Sequence, residues 1–155
     1  MADREHDYQV TVEWTGNKGQ GTENYKAYDR QFKVVADAKA EIAGSADPAF
    51  LGDASRWNPE EMLLASASAC HKLWYLHLCA EAGISVQSYC DRAEGTMLEA
   101  RRGRFTRIVL KPQITLRAGD DITLAAALHE KAHEQCFIAN SLNFPVLCEP
   151  TIKHA

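Results

Sequence analysis

The stretch 58–82 constrains the fold more than any other. Asn58 can cap a helix, Pro59 suits its first position, and Glu60 and Glu61 suit the positive end of the helix dipole. A helical pattern then runs to Ala82, and Gly83 reads as the stop. Such a helix is roughly 36 Å long. It is apolar on nearly every side, where a surface helix would carry a single greasy stripe. It therefore belongs in the middle of a structure. A chain of 155 residues can hardly enclose it alone, so a second copy is expected to cover part of it.

The other elements follow from shorter patterns. Residues 8–14 alternate as a strand, Gly16, Gly19 and Gly21 mark a turn, and 25–36 read as a returning strand with Tyr28, Phe32 and Val34 at even spacing. Residues 44–57 are turn-rich and read as a loop. Strands are predicted at 84–97 and 104–117. In the second, Ile108, Leu110, Ile114 and Leu116 share one face, and Pro112 suggests an edge position or a bulge. Asp120 or Asp121 can cap a helix over 122–140 with the stripe Leu124, Leu128, Ala132, Cys136 and Ala139, and a strand at 147–153 closes the chain. The order predicts an α+β fold in one domain spanning 1–155.

Composition narrows the function classes. Net charge is −4, hydrophobic residues make up 46% and charged residues 25%, so a nucleic-acid surface is not expected. The polar start MADREHDYQV does not read as a secretory leader, and Ser66, Ser68, His71, Lys72 and His77 interrupt the most apolar run. No membrane association is expected, and the expected location is the cytoplasm. The five cysteines, Cys70, Cys79, Cys90, Cys136 and Cys148, include no CxxC pair, which argues against a disulfide framework and against the usual zinc and dithiol motifs.

Several residues could carry chemistry, and each also has a structural reading. Cys70 lies among Ala67, Ser68 and Ala69, where a cysteine is an ordinary compact core residue unless a cation beside it stabilises the thiolate. Cys136 follows 66 residues later. His129, His133 and Cys136 fall on one helical face and could bind a metal or could be ordinary surface and core groups; a fourth ligand is not evident, and no metal is assigned. Glu60 and Glu61 have a structural reading in the helix dipole alone. Glu60 precedes Cys70 by ten residues, about 15 Å along a straight helix, so it could meet such a cysteine only across subunits. Arg30 reads either as a solvated strand arginine or as the missing cation. Cys79 reads as core, and Cys90 and Cys148 lie on strands without a motif.

The run NPEEMLLASASAC at 58–70 resembles the signature of the OsmC/Ohr family, the osmotically inducible protein C and organic hydroperoxide resistance proteins. The run CFIANS at 136–141 is similar to the family's second-cysteine motif, and the likeness extends over about 8–153. The resemblance implies an intertwined homodimer with two long central helices wrapped by sheets. It also implies a thiol-dependent peroxidase that reduces organic hydroperoxides to alcohols. Cys70 would be the attacking thiolate, Cys136 the resolving thiol, and Glu60 the partner of a catalytic arginine. No bound cofactor is implied; the reductant would be an external dithiol, a dihydrolipoyl group on a lipoylated protein. The family's arginine often lies near the glycine-rich turn, but here the turn reads TGNKGQGT, so Arg30 is the candidate and Lys18 the second. Phe137 stands where many members have proline. The competing expectation is a non-enzymatic member that binds a small apolar ligand with Cys70 merely packed.

Overall fold

The computed structural model describes residues 3–155; Met1 and Ala2, part of the polar start read above, lie outside the described residues. The chain forms two compact units that meet in sequence at Met62 and Leu63.

The first unit is an antiparallel meander of β1 (Thr11–Trp14), β2 (Phe32–Val35) and β3 (Ile42–Gly44). Gly44 is required, because a Cβ there would meet the Phe32 ring at 2.2 Å. The Arg56 guanidinium donates to the carbonyls of Gly44 and Phe32, and Trp57 bridges to Gly44, so the returning chain is stitched to the sheet. The expected strand over 25–36 is realised only at 32–35, and Arg30 lies before it rather than on it. The cause is Arg30 itself. Its guanidinium lies over the rings of Tyr25 and Tyr28 and donates hydrogen bonds to both of their carbonyls, which occupies acceptors a strand would need.

Helix α1 (Pro59–Glu81) starts in the first unit and continues through the second. Asn58 Oδ1 accepts from the Glu61 N–H at 2.8 Å, as its cap position predicts. The helix ends where Gly83 takes φ +75° and Ile84 N–H bonds back to the Cys79 carbonyl. Its inward stripe is Ala67, His71, Tyr75, Leu78 and Cys79, at helical spacing.

In the second unit each of the three expected strands, the short last one included, is divided in two. These are β4 (Val86–Asp91) and β5 (Glu94–Leu98), β6 (Arg104–Leu110) and β7 (Pro112–Leu116), and finally β8 (Val146–Cys148) and β9 (Thr151–His154). They form two sheets, β4-β7-β9 and β5-β6-β8, each with one antiparallel and one parallel pairing. Pro112 accounts for the central division, since it has no N–H for the ladder; it opens the middle strand of its sheet, not an edge or a bulge. The gap is closed by Asp91, whose carboxylate accepts from Lys111 N–H at 2.7 Å and from Ser68 Oγ on α1 at 2.5 Å. The inward face survives the division: Ile108, Leu110, Ile114 and Leu116 are all buried.

Two apolar clusters result. Ala67, Ile108, Leu110 and Val146 pack on the β5-β6-β8 side, and Tyr75, Leu78, Cys79, Ile114, Leu116, Ala125 and Ala132 pack on the β4-β7-β9 side. The expected second helix is α2 (Ile122–Gln135) followed by a short α3 (Phe137–Asn140). Asp121 caps α2 by accepting from Leu124 N–H. The break falls at Cys136, whose ψ of 108° leaves the helical region and whose sulfur then accepts from Ala139 N–H. The buried face of α2 is Ala125, His129 and Ala132; Ala132 and the following Cys136 are buried as the stripe expects and Leu128 packs partly buried on the core, whereas Leu124 is exposed and Ala125 and His129 take inward positions.

Candidate functional site

Cys70 lies beside the inward stripe of α1, one turn after buried Ala67 and one turn before exposed Leu73, and is half-buried. With Leu73, Trp74, His77 and Phe137 it lines a cavity of about 370 Å³ whose walls are mainly apolar. Trp74 stands edge-on to Phe137 at 5.5 Å and to His77 at 5.9 Å, so aromatic contacts join the α1 and α3 sides of this opening.

Cys136, only 1% exposed, sits behind that wall. Burial pushes its thiol up to about 11, backbone N–H groups of Ala139 and Ile138 oppose that rise, and the Cys70 thiol, placed against it as a hydrogen-bond partner, adds to it. Two thiols 66 residues apart thus meet, one facing a cavity and one enclosed. Both are reduced. A neutral enclosed thiol beside a more accessible one can condense with an oxidised form of its neighbour without first meeting solvent.

The remaining expected site residues lie in the first unit. Arg30 is held by Tyr25 and Tyr28 as described, and Lys18 pairs with Asp29 at 3.4 Å. Glu60 occupies the first turn of α1 and is half-buried.

The metal reading of His129, His133 and Cys136 is overturned by geometry. The kink at Cys136 turns its sulfur to Ala139 and Cys70, and His133 is exposed. Among the described residues, the group that converges is His71, His129 and Cys148, from α1, α2 and β8. His71 Nε2 lies 2.9 Å from His129 Nδ1, and Cys148 Sγ lies 3.8 and 3.6 Å from those two atoms. Burial holds the imidazoles neutral: His71 falls to about 4 and His129 to about 3, and burial likewise raises Cys148 to about 12. His71 and Cys148 carried no assignment in the sequence. The available signal was a histidine one turn after Ala67 and one turn before Tyr75, squarely on the stripe that must face inward.

Among the described residues, no helix is long and apolar enough to cross a membrane. The OsmC-like protein family matches residues 52–150, well over half of the chain. The uncharacterized protein YmaD of Bacillus subtilis is 28% identical over 103 residues, covering 62% of this chain and 68% of YmaD. An OsmC-like protein of unknown function from Vibrio cholerae superposes with a TM-score of 0.86 at 28% identity, covering 95% of this chain and all of that one. An organic hydroperoxide resistance protein OsmC from Legionella pneumophila superposes at 0.66 and 20% identity, covering 96% and 99%, a likeness of fold. The mixed helix-and-sheet architecture is therefore the OsmC-like one, and this chain belongs to the OsmC-like protein family.

Proposed function

We propose that the chain is a thiol-dependent peroxidase acting on organic hydroperoxides. The observation that carries this reading is the placement of Cys70 on the wall of an apolar cavity with the enclosed Cys136 against it. Similarity to proteins described as organic hydroperoxide resistance proteins supports it at the level of fold. The Cys70 thiolate attacks the outer oxygen of ROOH; the O–O bond breaks, and RO⁻ leaves and takes up a proton to give the alcohol. Cys70 is left as a sulfenic acid. The Cys136 thiol condenses with it, forming the Cys70–Cys136 disulfide and water. An external dithiol, a dihydrolipoyl group in this proposal, restores both thiols by exchange. Trp74, Leu73 and Phe137 favour a bulky apolar R group over hydrogen peroxide.

The cation that stabilises the Cys70 thiolate and the departing oxygen is assigned to Arg30, with Glu60 orienting it and Lys18 as the alternative. Arg30 would have to exchange some of its carbonyl partners for this role. A homodimer completes the proposal. Exposed Leu73 on α1 and exposed Val10, Val12 and Trp14 in the first unit are apolar groups that a second copy would cover.

The test is mass spectrometry after one equivalent of an alkyl hydroperoxide. A Cys70–Cys136 disulfide should form in the wild type, and a persistent Cys70 sulfenic acid in Cys136→Ser. Recovery of both thiols free would reject the peroxidase and leave the cavity as a ligand-binding pocket. Sedimentation of the reduced protein at micromolar concentration should show a dimer.

A further inference from the structure

We propose that His71, His129 and Cys148 form a metal site of the zinc class, which clamps α1, α2 and β8 between the two apolar clusters. The inference does not rest on the peroxidase reading, because neither Cys70 nor Cys136 belongs to the ligand set.

Three observations converge on it. The first is the shape of the triangle. A tetrahedral zinc ion with ordinary bond lengths separates a thiolate sulfur from an imidazole nitrogen by about 3.5 Å and two nitrogens by about 3.3 Å. The sulfur lies 3.6 and 3.8 Å from the two nitrogens, close to that requirement. The nitrogens are 2.9 Å apart, where they share one proton in a hydrogen bond. An ion replacing that proton must tilt the rings and open this one edge by about 0.4 Å.

The second observation is the support behind the ligands. They come from three separate elements, so the site is not a local accident of one helix. The Tyr75 ring stacks on His129 with centroids 3.8 Å apart and fixes its plane. Asp91 acts on both His71 and Cys148 and is itself anchored by Ser68 and Lys111, and Glu149 acts on Cys148 as well. Two neutral imidazoles, one thiolate and a divalent ion carry a net charge of +1, which Asp91 offsets.

The third observation concerns polar atoms that lack partners. Three buried side-chain atoms among the described residues have no hydrogen bond: His129 Nε2, Tyr75 OH and Tyr89 OH. All three belong to this neighbourhood. Tyr75 lies on His129, Tyr89 neighbours Tyr75 at 6.0 Å, and the Cys148 sulfur acts on both phenols. Only the Cys79 thiol, a weak partner, is near the Tyr75 hydroxyl. Unpartnered polar groups are uncommon in a core, and a cluster of them marks a place for an ion or water. Of the three, His129 Nε2 lies across the imidazole from the converging Nδ1, and the phenols belong to the ring stacked on His129 and to its neighbour.

On binding, the Cys148 S–H bond breaks and its proton goes to solvent, the proton shared by the two imidazoles is carried instead on the other nitrogen of its ring, and one metal–sulfur and two metal–nitrogen bonds form; no electron is transferred. The ion acts as a structural tie.

The test uses the full chain carrying Cys70→Ser and Cys136→Ser, which leaves the proposed ligands intact and removes the other thiol pair. It is loaded with Zn²⁺ or Co²⁺ and freed of excess. One ion per chain is expected, with a thiolate-to-cobalt charge-transfer band, a zinc-dependent rise in the thermal midpoint and reversal by chelator. X-ray absorption at the zinc edge should show one sulfur and two imidazole nitrogens. Adding Cys148→Ala should abolish the band and weaken zinc binding about tenfold or more. No uptake, or zinc with no sulfur or two, would overturn the proposal. The absorption measurement decides on folded protein even if the Cys148 variant does not fold. Loss of peroxidase activity plays no part in these readouts, so this inference and the peroxidase reading fail separately.

Discussion

Cys70 and His71 are neighbours in the chain and serve opposite surroundings. Cys70 opens onto an apolar cavity and touches one enclosed thiol. His71 points into the core and meets a second histidine and a third thiol. One residue along a helix is a rotation of about 100°, enough to separate a solvent-facing wall from the interior. Both thiols in question, Cys136 and Cys148, are held protonated by burial, yet their neighbours differ. Cys136 has a sulfur partner and sits at the break between two helices. Cys148 ends a strand and faces two imidazoles. The first arrangement suits a bond that forms and breaks; the second suits a fixed tie.

The largest effect that separates the two is expected from serine at each position. Cys70→Ser should lower hydroperoxide turnover on the order of 10³-fold or more, because the nucleophile is gone. Cys148→Ser should leave turnover within about twofold, since it lies outside the thiol pair. Steady-state assays with cumene hydroperoxide and a dithiol reductant check both. Equal losses from the two variants would erase the distinction between the regions.

Next in size is the packing that holds the two regions apart. Leu110 is fully buried at the strand division and belongs to the cluster beneath the first half of the inward stripe. Leu110→Ala should cost about 2–5 kcal/mol in urea unfolding. A loss under 1 kcal/mol would mean that this cluster collapses around the vacancy.

The pH dependence of stability sharpens the comparison further, because of the two regions only the histidine one has an acid limb, while Cys136 and Cys148 both act at the alkaline end. In metal-free protein, His71 and His129 have folded values of about 4 and about 3 against an ordinary 6.5. The unfolded chain therefore takes up protons first. Their contribution is complete above pH 6.5 and is lost as pH falls through 4, at up to about 1.4 kcal/mol per pH unit for each proton. Cys136 behaves in reverse. Its folded value of about 11 exceeds the ordinary 9, so its contribution is complete below pH 9 and is lost as pH rises through 11. Denaturation at a series of pH values should show His129→Gln flattening the acid limb and Cys136→Ser flattening the alkaline limb. Crossed effects would show that the assignments of burial are wrong.

Much of this architecture is legible in the residues. The cap at Asn58, the stop at Gly83 and the parity of Ile108, Leu110, Ile114 and Leu116 are local signals, and they predict α1 and the inward strand face directly. The strand divisions are less so. Pro112 marks one, but Asp91 bonding to Lys111 depends on a contact 20 residues apart. The face of α2 is legible at Ala132 and Cys136 but misread at its start, where small Ala125 is buried and Leu124 is left outside. Cys70 and Cys136 stand out through motifs. Cys148 does not, since its environment is assembled from residues 71, 129 and 148, and no spacing in one element announces it. Arg30 is legible as a cation, but its embrace by Tyr25 and Tyr28 is tertiary detail.

The smallest expected effect concerns the cavity mouth. Phe137 stands next to Cys136 in sequence and edge-on to Trp74, and it is 69% exposed. Phe137→Ala removes an aromatic contact of about 0.5–1.5 kcal/mol and widens the opening, with little loss of core. If Phe137 contributes only to binding a bulky R group, KM for an aryl hydroperoxide should rise about threefold to tenfold while kcat stays level. If it also holds Cys136 in place at the break between α2 and α3, disulfide formation should slow and kcat should fall with it. Rapid quenching after a single peroxide pulse measures that step alone. A rise in KM without a slower disulfide would assign the aromatic wall to the substrate and leave the Cys136 cap as the sole determinant of how the resolving sulfur is presented.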